Sequence, residues 1–218
     1  VTTEAEDGLL IIDLSPLPQS NNLSHVFYTG PAASPWQSAH TCYTSPSGYA
    51  YIFGANRGNG GVIILDVFTD PLNPIEVGVF DDWYVHDGYV QNDTMYLGHI
   101  YDGIISIVDV TNKSNPILLG TKTTPSNFAH NIWASDDGQF VYTTDEVSGA
   151  FIGAYDVSDP ANPVEIGKSA NLSDNVDDIE VVGSYAYLVL DSGSDEFSIV
   201  DVSDPTNMFR VSSLDLGG

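Results

Sequence analysis

Basic residues are nearly missing from this chain. Five lysines and arginines stand against thirty aspartates and glutamates, a formal charge of −25 over 218 residues. Such a field repels phosphate, so nucleic acid and anionic membrane surfaces are not expected partners, whereas cations are drawn in. Cysteine is almost absent too. Cys42 stands alone, which excludes an internal disulfide, and it reads as a small hydrophobe on a strand in preference to a thiolate ligand. No apolar run approaches the roughly 20 residues of a membrane-crossing helix, so membrane insertion is not expected. Nothing at Val1 has the form of a secretory leader. The motifs G-x-S-x-G and H-E-x-x-H, a phosphate-binding glycine loop and the EF-hand are all missing. No stretch carries helical periodicity.

What is present is repetition. VIILDVFTDPLNPIEVG (Val62–Gly78) returns as Ile104–Gly120, as Ile152–Gly167 and as Phe197–Val211, and Leu9–Ser15 is a truncated copy. Each copy is a β-branched run ending in Asp, then a turn built on Asp-Pro or Asn-Pro, then a second apolar run. The run-ending aspartates Asp13, Asp66, Asp109, Asp156 and Asp201 recur at intervals of about 43 to 53 residues, a period that marks a repeat architecture. β-Branched residues fit a pleated surface, the Asp side chain can bond the amides just ahead of it, and Pro stops the strand. These aspartates are therefore turn chemistry and not a catalytic set.

Between the copies, further short runs complete four strands per unit of about 45 residues. The predicted strands are Leu9–Asp13 and His25–Thr29; Ser38–Thr44, Gly48–Phe53, Gly61–Val67 and Ile75–Phe80; Val85–Gln91, Thr94–His99, Ile104–Val110 and Ile117–Thr121; Ala129–Ala134, Phe140–Thr144, Ala150–Val157 and Val164–Lys168; and Asp177–Val182, Tyr185–Leu190, Glu196–Val202 and Phe209–Leu214. The fold class expected is all-β: one β-propeller domain of four-stranded antiparallel blades. Four blades are full, at residues 36–80, 81–122, 125–169 and 172–216, and residues 9–30 form the outer half of a fifth. Val1–Asp7 reads as a polar tail or connector. Aligned tyrosines Tyr51, Tyr96, Tyr142 and Tyr187 read as packing between blades.

The runs IILDV, SIVDV and FSIVDV with their DP-x-NP turns resemble the LVIVD repeat. The strings QSAHTCYTSPSGYAYIFG, WYVHDGYV and FAHNIWASDDGQFVYTTDE follow the order of the choice-of-anchor B family, over about residues 9 to 168. That resemblance implies an exported or surface-associated bacterial propeller acting as a binding or scaffold module. It also implies that this chain is a fragment of a longer one, because the first strands of the opening blade and the anchor are not in it. A protein or glycan at the cell surface is the partner so implied.

Alignment of the blades puts His40, His86, His130 and Asp177 at one equivalent position on the first strand of each full blade. In a propeller such positions converge at one end of the channel, where three imidazoles and a carboxylate could ligate zinc, copper, iron or calcium. The second strands return to the same end and bring His99, Asp145 with Glu146, and Asp191; Asp87, Asn131 and Asp178 follow the aligned residues. Two readings stay open: a metal or small-ligand site, serving binding or a metal-dependent enzyme, and a set of polar residues that only lock neighbouring blades in register. A structural role in an extracellular assembly is a third function class. Acid pairs such as Asp81–Asp82 and Asp136–Asp137 lie on alternate sides of their strands, so they should not converge. His25 is expected exposed, and four N-x-S/T sequons stand at Asn22, Asn92, Asn112 and Asn171. The half blade leaves an unpaired strand edge at Leu9–Asp13, whose inner strands come either from sequence upstream of Val1, as the resemblance implies, or from a neighbouring molecule by strand addition, a route to self-association.

Overall fold

The structure is a computed structural model that describes every residue except Thr3, Asn171, Ser173, Asp174, 191–195 and Gly218. The sequon at Asn171 and the acid Asp191 therefore lie outside the described residues. Strands and turns account for the regular structure, with no helix among the described residues. Two compact units form, one of Val1–Val85 with Val110–Pro116 and one of His86–Asp109 with Ile117–Gly218.

In the first unit, β1 (Leu9–Ile12) and β2 (His25–Tyr28) make a two-stranded antiparallel sheet. β3 (Thr41–Thr44), β4 (Tyr49–Phe53), β5 (Val62–Asp66) and β6 (Ile75–Phe80) make a four-stranded one in chain order. Leu9, Ile11 and Tyr28 of the small sheet pack against Ala50, Ile52, Ile63 and Leu65 of the large one, and half-buried Cys42 joins them as an apolar side chain. The stretch expected as a polar tail or connector is held at Val1 and at Asp7. Val1 exchanges two 2.9 Å backbone bonds with Leu10, and the amides of Asp7 and Gly8 donate to Gln37 O. The reason is the open edge of β1, whose amide and carbonyl at Leu10 gain partners from Val1. Next to that edge lies an apolar hollow of about 360 Å³ lined by Leu10, Ile12, Cys42, Ala50 and Val67.

The second unit holds three four-stranded antiparallel sheets. They are β7 (Gly88–Gln91), β8 (Thr94–His99), β9 (Ile104–Asp109) and β10 (Ile117–Thr123); β11 (Ala129–Ala134), β12 (Phe140–Asp145), β13 (Gly153–Asp156) and β14 (Val164–Lys168); and β15 (Val176–Val182), β16 (Tyr185–Leu190), β17 (Glu196–Asp201) and β18 (Phe209–Asp215). Each sheet lays one face on the next. Tyr96, Ile105 and Ile107 meet Ile132 and Val141, and Tyr142, Ile152 and Ala154 meet Ile179, Val181, Leu188 and Val200. Burial pushes the Tyr142 hydroxyl up to about 12, with the charge of Asp137 a smaller cause, and this hydroxyl donates to Val202 O at 3.2 Å.

The repeated turn works as its residues dictate. Asp13, Asp66, Asp156 and Asp201 each accept a 2.9 Å bond from the amide two residues on. Three or four residues later Asp70, Asp159 and Asp204 accept from the amide two residues on in the same way, and Asn112 takes that place in the second copy. The glycine that closes each copy has a different task. A Cβ on Gly120 or Gly167 would strike the carbonyl of Pro160 or Pro205 in the following sheet's turn, and Gly78 meets Lys113 O in the same way. In the last copy this position is Ser212.

Candidate metal site

In the second unit the aligned residues lie at irregularities at or just before the first strand of each sheet. Between Ala129 and Ile132 the register of β11 on β12 shifts, so His130 and Asn131 face one residue, Thr144. The same shift between Val176 and Ile179 carries Asp177 and Asp178. Ahead of β7, Gly98 donates to Asp87 O and accepts from His86 N, again two residues against one. Such bulges turn a side chain out of the pleat and are common beside functional sites. They also explain why β7 begins at Gly88 and not at Val85 as expected.

Thr144 joins two of these bulges. Its Oγ1 accepts from Asn131 N at 3.1 Å and donates to Asp177 O at 2.8 Å. Gly98 lets the chain come close, since a Cβ there would stand 2.8 Å from His130 O. His130 is thereby fixed. Its Nδ1 lies 2.9 Å from Asp177 O; a carbonyl can only accept, so Nδ1 carries a hydrogen, and in the neutral ring Nε2 would hold the lone pair.

That lone pair points between two carboxylates. Nε2 is 3.4 Å from Asp177 Oδ1 and 3.6 Å from Glu146 Oε2, and the three ligand atoms all lie within 4.8 Å of one another. A charge-assisted N–H···O bond would be about 2.7–2.9 Å. Ligand atoms of a tetrahedral zinc site, with bonds of about 2.0–2.1 Å, stand about 3.3–3.4 Å apart. The spacing therefore suits the edges of a coordination polyhedron better than a hydrogen-bonded cluster. On the other side of the imidazole, the His86 ring is tilted 46° at 4.3 Å, and Asp87 Oδ2 lies 3.2 Å from His86 Nδ1 and 3.9 Å from His130 Nδ1. The His130 side chain is 8% exposed, whereas those of Glu146 and Asp177 are about one-third exposed.

His40 belongs to the first unit, where its Nδ1 is 2.9 Å from Glu4 Oε1. Two expected residues of the second unit stand apart from this group. His99 is fully buried, with Nε2 2.7 Å from Ser106 Oγ on the neighbouring strand, so it stands apart from the cluster. Asp145 also turns inward. It accepts from Thr124 Oγ1, from Ser126 N at 2.7 Å and from Phe128 N at 3.1 Å, which ties down the loop before β11. Strand alternation then sends its neighbour Glu146 outward to the site. Other acid pairs anchor turns: Asp81 accepts from Asn59 N and Gly61 N, and Asp137 from Gln139 N and Ser135 Oγ. His25 is exposed, its ring edge-on to Phe27.

No curated protein matches this chain. Among solved structures it is similar to a functionally unknown protein from Desulfotomaculum acetoxidans, with a TM-score of 0.78 and 14% identity over 100% of this chain and 66% of the other. It is also similar to a protein from Lactobacillus plantarum, with a TM-score of 0.73 and 12% identity over 90% and 60%. The periplasmic gluconolactonase of Pseudomonas aeruginosa gives a TM-score of 0.68 at 12% identity over 96% and 68%. The chain thus spans less than two thirds of the first two neighbours' length, and at these identities the likeness concerns the fold. The LVIVD repeat matches residues 47–82, 100–124, 128–170 and 174–215. With more than half of its residues matched, the chain belongs to the LVIVD-repeat family and is built of β-propeller blades.

Proposed function

We propose that this chain is a metal-dependent binding module of an exported or surface-associated propeller protein, with a divalent transition-metal ion held by His130, Glu146 and Asp177. The supporting observation is the Nε2 of His130 at 3.4 and 3.6 Å from two carboxylate oxygens. An imidazole in the set favours zinc, copper or iron over calcium, which takes oxygen ligands. The protein charge of −25 raises the local cation concentration. His86 and Asp87 lie beside the His130 ring and bring further ligand-type atoms within 4.8 Å of it. Export is supported by the resemblance to the choice-of-anchor B family. No helix among the described residues is long and apolar enough to cross a membrane.

One observation favours a second reading, a metal-dependent enzyme. Glu146 and Asp177 are about one-third exposed, so an ion held by them would stay open to an exchangeable ligand. Both readings need the metal first. Calorimetric titration of chelator-treated protein should show one zinc site and no comparable calcium site, with zinc binding lost in His130→Ala and weakened at least tenfold in Glu146→Gln. Undiminished stoichiometric zinc binding by a folded His130→Ala variant would overturn the assignment.

A further inference from the structure

Charge is spread unevenly across the sheets of the second unit. Its lysines and arginine all stand on outermost strands: Lys122 on β10, Lys168 on β14 and Arg210 on β18. A fourth strand lies three strand spacings, about 14 Å, from the first. That is beyond the Debye length of about 8 Å at physiological salt. Two of these cations are also engaged where they stand. Arg210 pairs with Glu196 at 2.7 Å, and the Lys168 ammonium lies 4.7 Å from the centre of the Phe151 ring. In the first unit, Arg57 forks onto both oxygens of Glu76, and Lys113 donates to Val110 O.

The inner strands carry the opposite sign at the His130 site. Glu146 and Asp177 supply the carboxylates that a divalent ion would neutralise. Two more acids remain beside them. Asp87 Oδ2 lies 3.9 Å from His130 Nδ1, and exposed Asp178 follows Asp177 in the same bulge. Asp178 Oδ1 accepts from Asn131 Nδ2 at 2.7 Å, which holds this carboxylate beside the bulge that carries His130. An occupied site thus keeps the negative charge of Asp87 and Asp178, with no lysine or arginine on the strands that build it.

An anion entering the open position would bring a further negative charge close to both acids, where like charges repel. A neutral donor meets no such penalty, and an imidazole nitrogen suits zinc, copper and iron alike. We infer, on the metal reading above, that the open position of this ion takes an uncharged imidazole-type nitrogen donor and excludes anionic ligands. Phosphate and carboxylate compounds fall outside this class, whereas the side chain of a histidine falls within it.

Cobalt(II) reports the outcome, because its visible absorption follows the ligands around it. 1-Methylimidazole and 3-(imidazol-1-yl)propanoate offer the same ring nitrogen and differ in charge, so the pair isolates the electrostatic part. In low-salt buffer both should shift the band of the cobalt-loaded protein, the propanoate with at least about fivefold weaker affinity. The gap should close in about 1 M sodium perchlorate, which screens charge. Asp178→Asn keeps the oxygen that Asn131 bonds and removes one charge, and it should narrow the gap by at least about twofold. Equal low-salt affinities, a gap that Asp178→Asn leaves unchanged, or a cobalt band that neither probe shifts would overturn the inference and leave the metal in place. A protein that takes up no cobalt would remove the metal reading, and this inference with it.

Discussion

Ile107 and Ile199 hold the same place in two copies of one repeat, yet one is fully buried and the other half open. β9 and β17 end in the same Asp and are followed by nearly the same turn. What differs is the neighbour. The β7–β10 sheet is covered by β11–β14, whereas no described sheet of the second unit covers the far face of β15–β18. Strand identity is thus a local property of this chain, and core membership is a property of the next sheet.

The widest gap between the two copies should appear in stability. Ile107→Ala should cost about 2–5 kcal/mol, transfer and cavity together, as for other buried large-to-small changes. Ile199→Ala should cost less than about 1 kcal/mol in the monomer, where little cavity is left. Urea unfolding of both variants measures the difference, and equal losses would show that the last sheet is covered after all.

Turn chemistry should be blind to that difference. Asp66→Ala should lower stability by about 0.5–2 kcal/mol through lost turn hydrogen bonds, visible as a shifted urea midpoint at unchanged slope.

The smallest effect sharpens the same point. Bonds from Ser158 and Ser203 hold the Asp156 and Asp201 carboxyls below the usual carboxylate range. A lowered folded pKa contributes stability that is complete above the unfolded value of about 3.9 and is lost as pH falls through the folded one. Asp156→Asn and Asp201→Asn should therefore each reduce the steepness of acid unfolding below about pH 4, and by the same amount. Unequal effects from the covered and uncovered sheets would break the claim that these turns are local.

Much of the strand plan was legible. Ile75–Phe80, Thr94–His99, Ala129–Ala134, Val164–Lys168 and Tyr185–Leu190 run as expected from alternation and turn residues. His130 and Asp177 were legible as candidates because the repeat aligned them. The choice between Asp145 and Glu146 was not, since it depends on which face of β12 points inward at its last residue. Thr144 and Gly98 were missed for a related reason. Their roles lie in contacts with a neighbouring bulge, and a hydroxyl or a glycine on a strand gives no signal of that. His99 looked like a ligand at the end of a strand, but its partner Ser106 is set by cross-strand register.

The metal site admits the most direct test, anomalous diffraction from crystals of the protein grown with zinc. The expected result is one peak about 2.0–2.2 Å from His130 Nε2 and from an oxygen of both Glu146 and Asp177. Peaks confined to surface carboxylates elsewhere, with the His130 imidazole unligated in the presence of zinc, would contradict the assignment.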